Sequence, residues 1–362
     1  MATVAMKTLR RYIIREIFYA TLLVFVALLL LFAFFDLLEE LRKLGQGSYG
    51  IKEAALFVVL SAPNHVYELF PIAALIGTLF ALSQLVASSE YAVMRSAGVS
   101  ISDLVGVIAS IGLLFGTIAF VTGEFVAPFA EQHAQRLRSQ AMTGVVAQEF
   151  RSGLWIKDGT TFVNVLTVSP GGLLQGLRIY DFDRRYRLQL LRYVQSAQYL
   201  GDQQWQLKGV IQTHFDATNT VVSQIDTMPW TSVLAPGLLN MLLIKPEKMS
   251  AWNLYSYGEH LKENNQKSLR YDIALWLKLL YPITIIVMMV LALPFAYAQV
   301  RQGGVGAKIF YGIMLGLVFH FLNRLSGHLG LLNNWAPAAS AMIPTVLFGG
   351  LAWMLLWRQE RR

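Results

Sequence analysis

The sequence predicts an α-helical integral membrane protein with six transmembrane helices and an all-β, jellyroll-like domain inserted between the third and fourth. Two observations carry that expectation. Six apolar runs, three on each side of a long polar stretch, approach or exceed the ~20 residues that cross a bilayer. Within the polar stretch the hydrophobic period falls from that of a helix to two, the alternation of half-buried strands. Composition agrees. Of 362 residues, 55% are hydrophobic and 14% charged, too apolar for a soluble globular chain and too charged for spans alone.

Taken in order, Lys7, Arg10, Arg11 and Arg15 precede an apolar run from Ile17 to Phe35. The run is too long for a signal-peptide core and no small-residue cleavage site follows, so it reads as a first span that stays in place. A polar connection from Asp36 to Lys52 holds Glu39, Glu40, Arg42, Lys43 and the turn-like Gly45-Gln46-Gly47-Ser48. Ile51 to Leu60 is too short to span and reads as an interfacial segment. Pro63 opens the second span, which runs to about Val86, and Pro71 and Gly77 loosen its first half. His65 reads as an ordinary interfacial polar residue. The third span, about Ile101 to Val126, carries Gly106, Gly112, Gly116 and Gly123, which suit close helix packing in lipid.

Ser88 to Ser100 joins the second and third spans. It is either a plain turn or a short helix presented to a partner. Tyr91, Met94 and Ala97 or Gly98 recur at helical spacing, with Glu90 and Arg95 beside them, and a plain turn needs no such face.

From about Pro128 to Tyr271 short strands take over. Leu154 to Lys157 and Thr161 to Val168 flank Asp158-Gly159, a strong hairpin signal. Leu177 to Phe182 and Leu188 to Tyr199 flank Asp183-Arg184-Arg185, and Gly201-Asp202 leads to Trp205 to His214. Strands at this spacing suggest a sandwich or jellyroll. Glu131 to Met142 reads as a helical lead-in and Ser250 to Asn264 as a helical return. Spans at about Ile273 to Ala298, Val305 to Leu322 and Ala336 to Trp357 complete the chain, with Lys278 placed to snorkel. The expected organisation is residues 1–127 with helices one to three, 128–271 with the β domain, and 272–362 with helices four to six.

Orientation follows from basic residues near the spans. One side collects Lys7, Arg10, Arg11, Arg15, Arg95, Arg301, Lys308, Arg358, Arg361 and Arg362; the short loops of the other hold Arg42, Lys43, Lys52 and Arg324. Both termini and Ser88 to Ser100 are therefore expected in the cytoplasm, with the β domain outside. The net charge of +8 forms no basic stripe with interleaved aromatics, as nucleic acid would need.

Catalytic signatures are missing. The chain has no cysteine, hence no thiolate metal site or cysteine nucleophile. Gly303-Gly304-Val305-Gly306-Ala307-Lys308 lacks the phosphate-cradling spacing. His320 and His328 do not form a ligand-spaced cluster. The apolar spans hold few ionisable groups for acid–base work. The expectation is no enzyme, no metal and no cofactor.

GQGSYG at Gly45 to Gly50, ELFPIAALIGTL at Glu68 to Leu79, SSEYAVMRSAG at Ser88 to Gly98 and EFVAP at Glu124 to Pro128 are joined by EQHAQRLRSQAM at Glu131 to Met142 and GLWIKDGTTFVNV at Gly153 to Val165. Together they resemble the permease subunits of the lipopolysaccharide (Lpt) ABC exporter of Gram-negative bacteria, nearer the G-type than the F-type branch. The resemblance covers nearly the whole chain. It implies a multi-pass inner-membrane permease with a periplasmic jellyroll, paired with an F-type paralogue (LptF) above a cytoplasmic ATPase dimer (LptB) that binds the ATP. A bitopic subunit (LptC) and a periplasmic bridge protein (LptA) would receive lipopolysaccharide, with the first and fifth helices flanking a lateral gate. By the same resemblance, Glu90, Tyr91, Met94, Arg95 and Gly98 couple to the ATPase, and Arg42, Lys43 and Arg138 meet the lipid headgroup. The chain departs from the pattern at Asp36, where a relative carries lysine, and in the acidic Glu39 and Glu40. The alternative reading is a membrane-anchored assembly scaffold whose β domain binds a partner without moving lipid.

Overall fold

The structure, a computed structural model, describes residues 2–142, 153–168, 173–183, 185–216, 219–232, 245–263, 266–298 and 305–361. Of the residues singled out above, Arg184, Arg301, Gly303, Gly304 and Arg362 lie outside these ranges. Helix α1 (Ala2–Leu41) is followed by α2 (Ile51–Ala87), the short α3 (Glu90–Ser96) and α4 (Ile101–Val121). A π-turn at Thr122–Val126 joins α4 to α5 (Ala127–Ala141), so the third span and its lead-in helix run on without a break. Beyond the strands, a 3-10 turn at Pro246–Lys248 leads to α6 (Ala251–Glu263), α7 (Leu269–Ala298), α8 (Val305–Asn333) and α9 (Pro337–Glu360). Among the described residues, six stretches are long and apolar enough to cross a membrane: Lys7–Leu41, Ile51–Ala87, Ile101–Arg138, Leu269–Tyr297, Ile309–Asn333 and Pro337–Glu360.

Two expectations are corrected here. Ile51 to Leu60 is not a separate interfacial segment but the opening turns of α2, which carries Pro63 and Pro71 in its interior. Each proline forfeits a backbone bond, yet neighbouring helices keep such a helix continuous in a bundle. Lys278 does not snorkel; it is 4% exposed and bound inside the bundle.

Helices α2 and α7 pack against each other at the centre. Against α2 lie α1 and α8, and against α7 lie α4 and α9. One cluster unites Ile13 and Ile17 of α1, Leu75, Leu79 and Leu82 of α2, Ile108 of α4, Met288 of α7 and Phe348 of α9. Lipid supplies no hydrophobic drive between helices, so close contact of small residues must hold them together. Gly77 shows how close: a Cβ there would lie 2.4 Å from the Thr21 Cα of α1. On α4, a Cβ at Gly116 would meet Pro282 of α7 at 2.9 Å.

Among its described residues the insert contains six strands: β1 (Leu154–Asp158), β2 (Thr161–Val168), β3 (Leu174–Phe182), β4 (Leu188–Gly201), β5 (Gln204–Phe215) and β6 (Thr220–Thr231). They form one antiparallel sheet in sequence order. The all-β insert therefore sits where the sequence places it, but the described strands form a meander and do not include a jellyroll's second sheet. Its register is set by an apolar row, Leu154, Val165, Leu177, Val194, Val210 and Ile225, that crosses all six strands. Slipping one residue would turn that row to the other face. The β1–β2 turn is the anticipated one, with Gly159 at φ +59. At the β3–β4 turn the Asp183 carboxylate accepts the Arg185 and Arg187 N–H groups at 2.8 Å each. Those bonds, chiefly the one from Arg187, hold the Asp183 carboxyl below its ordinary pKa.

Candidate functional site

The first candidate lies where α1 ends. Leu41 closes the helix, and positive φ angles at Gly45 (+83) and Gly47 (+66) turn the chain so that Tyr49 comes back beneath it. Ser48 ties this loop to α5 through its N–H, which donates to the Ala141 carbonyl at 2.9 Å. Tyr49 is buried and donates its hydroxyl to Glu40 Oε2 at 2.7 Å. Burial, and then this bond to an anion, push the Tyr49 phenol well above its ordinary pKa.

Glu40 is the unexpected centre of the cluster. It is 3% exposed, and a buried carboxylate needs compensation. Lys43 donates to Glu40 Oε1 at 2.7 Å and to Glu39 Oε1 at 3.1 Å. Arg138 of α5 reaches the same Glu40 Oε1 at 3.9 Å while its guanidinium lies over Phe57, 5.4 Å from the ring centre. Of the three cations expected at a headgroup, Lys43 and Arg138 thus converge, and an internal anion already engages both. Arg42 is exposed on the loop. Asp36 pairs with His65 of α2. His65 is therefore no idle interfacial residue.

Three more ionic junctions fasten the same end of the bundle. Glu131 of α5, 2% exposed, accepts from Lys248 at 2.9 Å, from Gln135 at 2.9 Å and from Asn64 at 2.5 Å. In the π-turn, Glu124 accepts the Ala251 and Trp252 N–H groups at 2.7 and 3.2 Å, a carboxylate at the N-terminus of α6 where the helix dipole favours it. Lys278 of α7 lies 3.5 Å from Glu124, donates to the Gly123 carbonyl at 2.9 Å and also binds the Met249 carbonyl. Across α2 and α8, Arg324 meets Glu68 at 3.1 Å.

At the other end stands the segment Ser88 to Ser100. Ser89 at φ +62 and Gly98 at φ +90 break the chain on either side of α3. Its periodic face is turned inward: Tyr91 stacks on Tyr297 of α7 at 3.9 Å, and Met94 is buried in the bundle core. Ser88 donates to Glu90 at 2.9 Å, and Tyr12 of α1 lies against that carboxylate. Arg95 donates to the Val99 carbonyl at 2.9 Å, closing the turn. The outward surface consists of Ala92, Val93, Arg95, Ser96, Ala97 and Gly98, with Val93 66% exposed. The helical spacing thus holds, with Tyr91 and Met94 turned to the bundle and Ala97 and Gly98 turned outward.

The lipopolysaccharide export system permease LptF/LptG family model matches residues 11–358. The chain belongs to this family. It is similar to the lipopolysaccharide export system permease protein LptG of Escherichia coli, 32% identical over 354 residues, which are 97% of this chain and 98% of that protein. The LptG protein of Haemophilus influenzae is 31% identical over 98% of this chain and 99% of its own length. The family resemblance read from the motifs is thereby borne out. Family members are permease subunits rather than enzymes. Among the described residues, no group of three or more His, Asp or Glu side chains is placed to hold a metal ion. The site offers cations and an apolar flank for binding, and no nucleophile–base pair.

Sequence reasoning noted Glu40 only as an acidic departure and gave Glu124 and Glu131 no role, yet these three carboxylates organise this end. Glu124 and Glu131 stand inside the quoted motifs. A carboxylate flanked by apolar residues at the end of a span is the signal that could have found them.

Proposed function

We propose that this chain is the G-type permease subunit of a lipopolysaccharide exporter, paired with an F-type paralogue above a separate ATPase dimer that binds the ATP. The observation that carries this reading is the match along the whole chain, spans and insert alike, to the export permease family. In it, residues 1–127 and 272–362 form the membrane half and residues 128–271 the periplasmic half, with both termini in the cytoplasm. Lipid A brings several acyl chains and phosphates. The exposed apolar flank of α1, including Leu23, Leu30 and Phe34, and that of α8, including Phe310, Leu317 and Phe321, suit the chains. Arg42 by the end of α1 and Arg138 of α5 suit the phosphates, since arginine engages phosphate bidentately, and Lys43, held by Glu39 and Glu40, keeps a point charge beside them. The lipid then passes along the β domain toward LptC and LptA.

At the cytoplasmic end, the outward surface of α3 seats in the ATPase, with Val93 and Gly98 at the contact and Tyr91 and Met94 carrying its motion into α7. Glu90 and Arg95 stiffen the segment. The deciding experiment is mass spectrometry of the intact detergent-solubilised complex. A paralogous permease, an ATPase dimer and bound lipopolysaccharide are expected together. A chain that purifies without an ATPase and leaves ATP turnover unchanged would be a scaffold. A reporter fused after Arg362 is expected on the cytoplasmic side and one inserted at Gly201 on the other.

A further inference from the structure

We propose that Glu40 is a positioning residue that competes with the lipid phosphate for Arg138 and so sets how readily the headgroup is released. The inference rests on the headgroup reading above and goes beyond it. Its basis is the unequal grip of one carboxylate on two cations. Lys43 is held at 2.7 Å by Glu40 and at 3.1 Å by Glu39, so its charge is already spent inside the protein. Arg138 reaches Glu40 Oε1 at only 3.9 Å, with 28% of its side chain open to the surroundings. Its stem is steadied on Phe57, so the guanidinium can turn without losing its seat.

Glu40 cannot follow it. Tyr49 holds Oε2 at 2.7 Å, and the carboxylate is 4% exposed. The result is a fixed anion with one tightly bound cation and one exchangeable cation. An incoming phosphate takes Arg138 from Glu40, and on departure Glu40 takes it back. Arg138 is never left as a bare cation, which would hold an anionic lipid too firmly for a carrier. Lys43 is assigned a structural part, and Arg138 the exchange.

The test uses the full exporter complex and measures lipopolysaccharide retained per complex through a salt wash. Glu40→Gln removes the competing charge and keeps the shape, so retention is expected to rise about threefold, the scale of one partly exposed ion pair. Tyr49→Phe frees Oε2 to swing toward Arg138, so retention is expected to fall. A simple structural role for Glu40 predicts that both variants fall together; that result, or no rise in a folded Glu40→Gln complex, overturns the proposal. If Glu40→Gln does not assemble, Tyr49→Phe decides alone, and unchanged or raised retention there overturns it. Arg138→Ala in the otherwise unaltered chain separates this idea from the reading beneath it. If that variant holds phosphorylated and dephosphorylated lipid as the parent does, the headgroup site itself lies elsewhere.

Discussion

Helices α1 and α2 lie side by side and solve opposite problems. The most apolar stretch of α1 is 11% buried within the chain, whereas that of α2 is 78% buried. Apolar content therefore says little about burial here, since a lipid-facing and a protein-facing surface are equally greasy. What separates the two is side-chain size at the contact and polar residues at the ends. Around α2, glycine lets α1 approach to backbone distance, and carboxylates at one end bind partners on α5, α7 and α8. On α1 the outer flank is left to whatever surrounds the chain.

The strongest challenge to this division is the substitution Lys278→Met. Removing one partner of a buried ion pair costs about 3–5 kcal/mol because the other charge is stranded, and the Gly123 and Met249 carbonyls lose their donor as well. The variant is expected to insert but to lose thermal stability in detergent by that order, read by a melting scan. A stability equal to the parent's would mean that α6 holds Glu124 without help. Next in size is Gly77→Leu, which forces α1 and α2 apart. Overpacking of this kind costs roughly 1–3 kcal/mol or more. The matched control is Gly327→Leu on α8, where an added Cβ meets nothing within 4 Å, and no loss is expected. Equal losses at the two positions would erase the contrast between packed and open helices.

The smallest effect belongs to the β domain, which follows the rules of a water-soluble sheet. The folded pKa of Asp183 is lowered, so its contribution is present above its unfolded value and disappears as pH falls through the folded one. Asp183→Asn should therefore lower the insert's thermal stability slightly at neutral pH and flatten its acid limb, parent and variant converging below about pH 4. A parent and variant with identical acid limbs would show that the turn is held by backbone geometry alone.

Much of this was legible in the sequence for a physical reason. Span length and strand alternation are local properties, so the six spans and the Asp158-Gly159 hairpin could be read directly. The strand β6 was not, because its Pro229 looks like a strand breaker. It survives because β6 pairs on one side only, at the edge of the described sheet. Facing was harder still. Tyr91 and Met94 repeat at helical spacing whether they meet a partner or their own α7, and periodicity does not say which. The Asp36–His65 and Glu124–Lys278 pairs join residues 29 and 154 apart, and nothing local announces them. Arg42, Lys43 and Arg138 were found by resemblance, whereas the carboxylate that governs two of them was visible only in three dimensions.

The unbroken run from Ile101 to Arg138 has a mechanical consequence. Its 38 residues make a shaft of roughly 57 Å at 1.5 Å per residue, nearly twice the ~30 Å of hydrocarbon it crosses. Ser88 to Ser100 is hinged to one tip, and Arg138 rides on the other. Pivoting at the π-turn, an arm of roughly 21 Å carries Arg138, so a tilt of about 5° moves it by roughly 2 Å, about half the 3.9 Å that separates Arg138 from Glu40. The π-turn at Thr122–Val126, clasped to α6 through Glu124, sits where such a shaft would find its fulcrum. A nudge delivered at one end of this protein thus reaches the ion pair at the other, and a tilt of about 11° about this fulcrum would match the separation of Arg138 from Glu40.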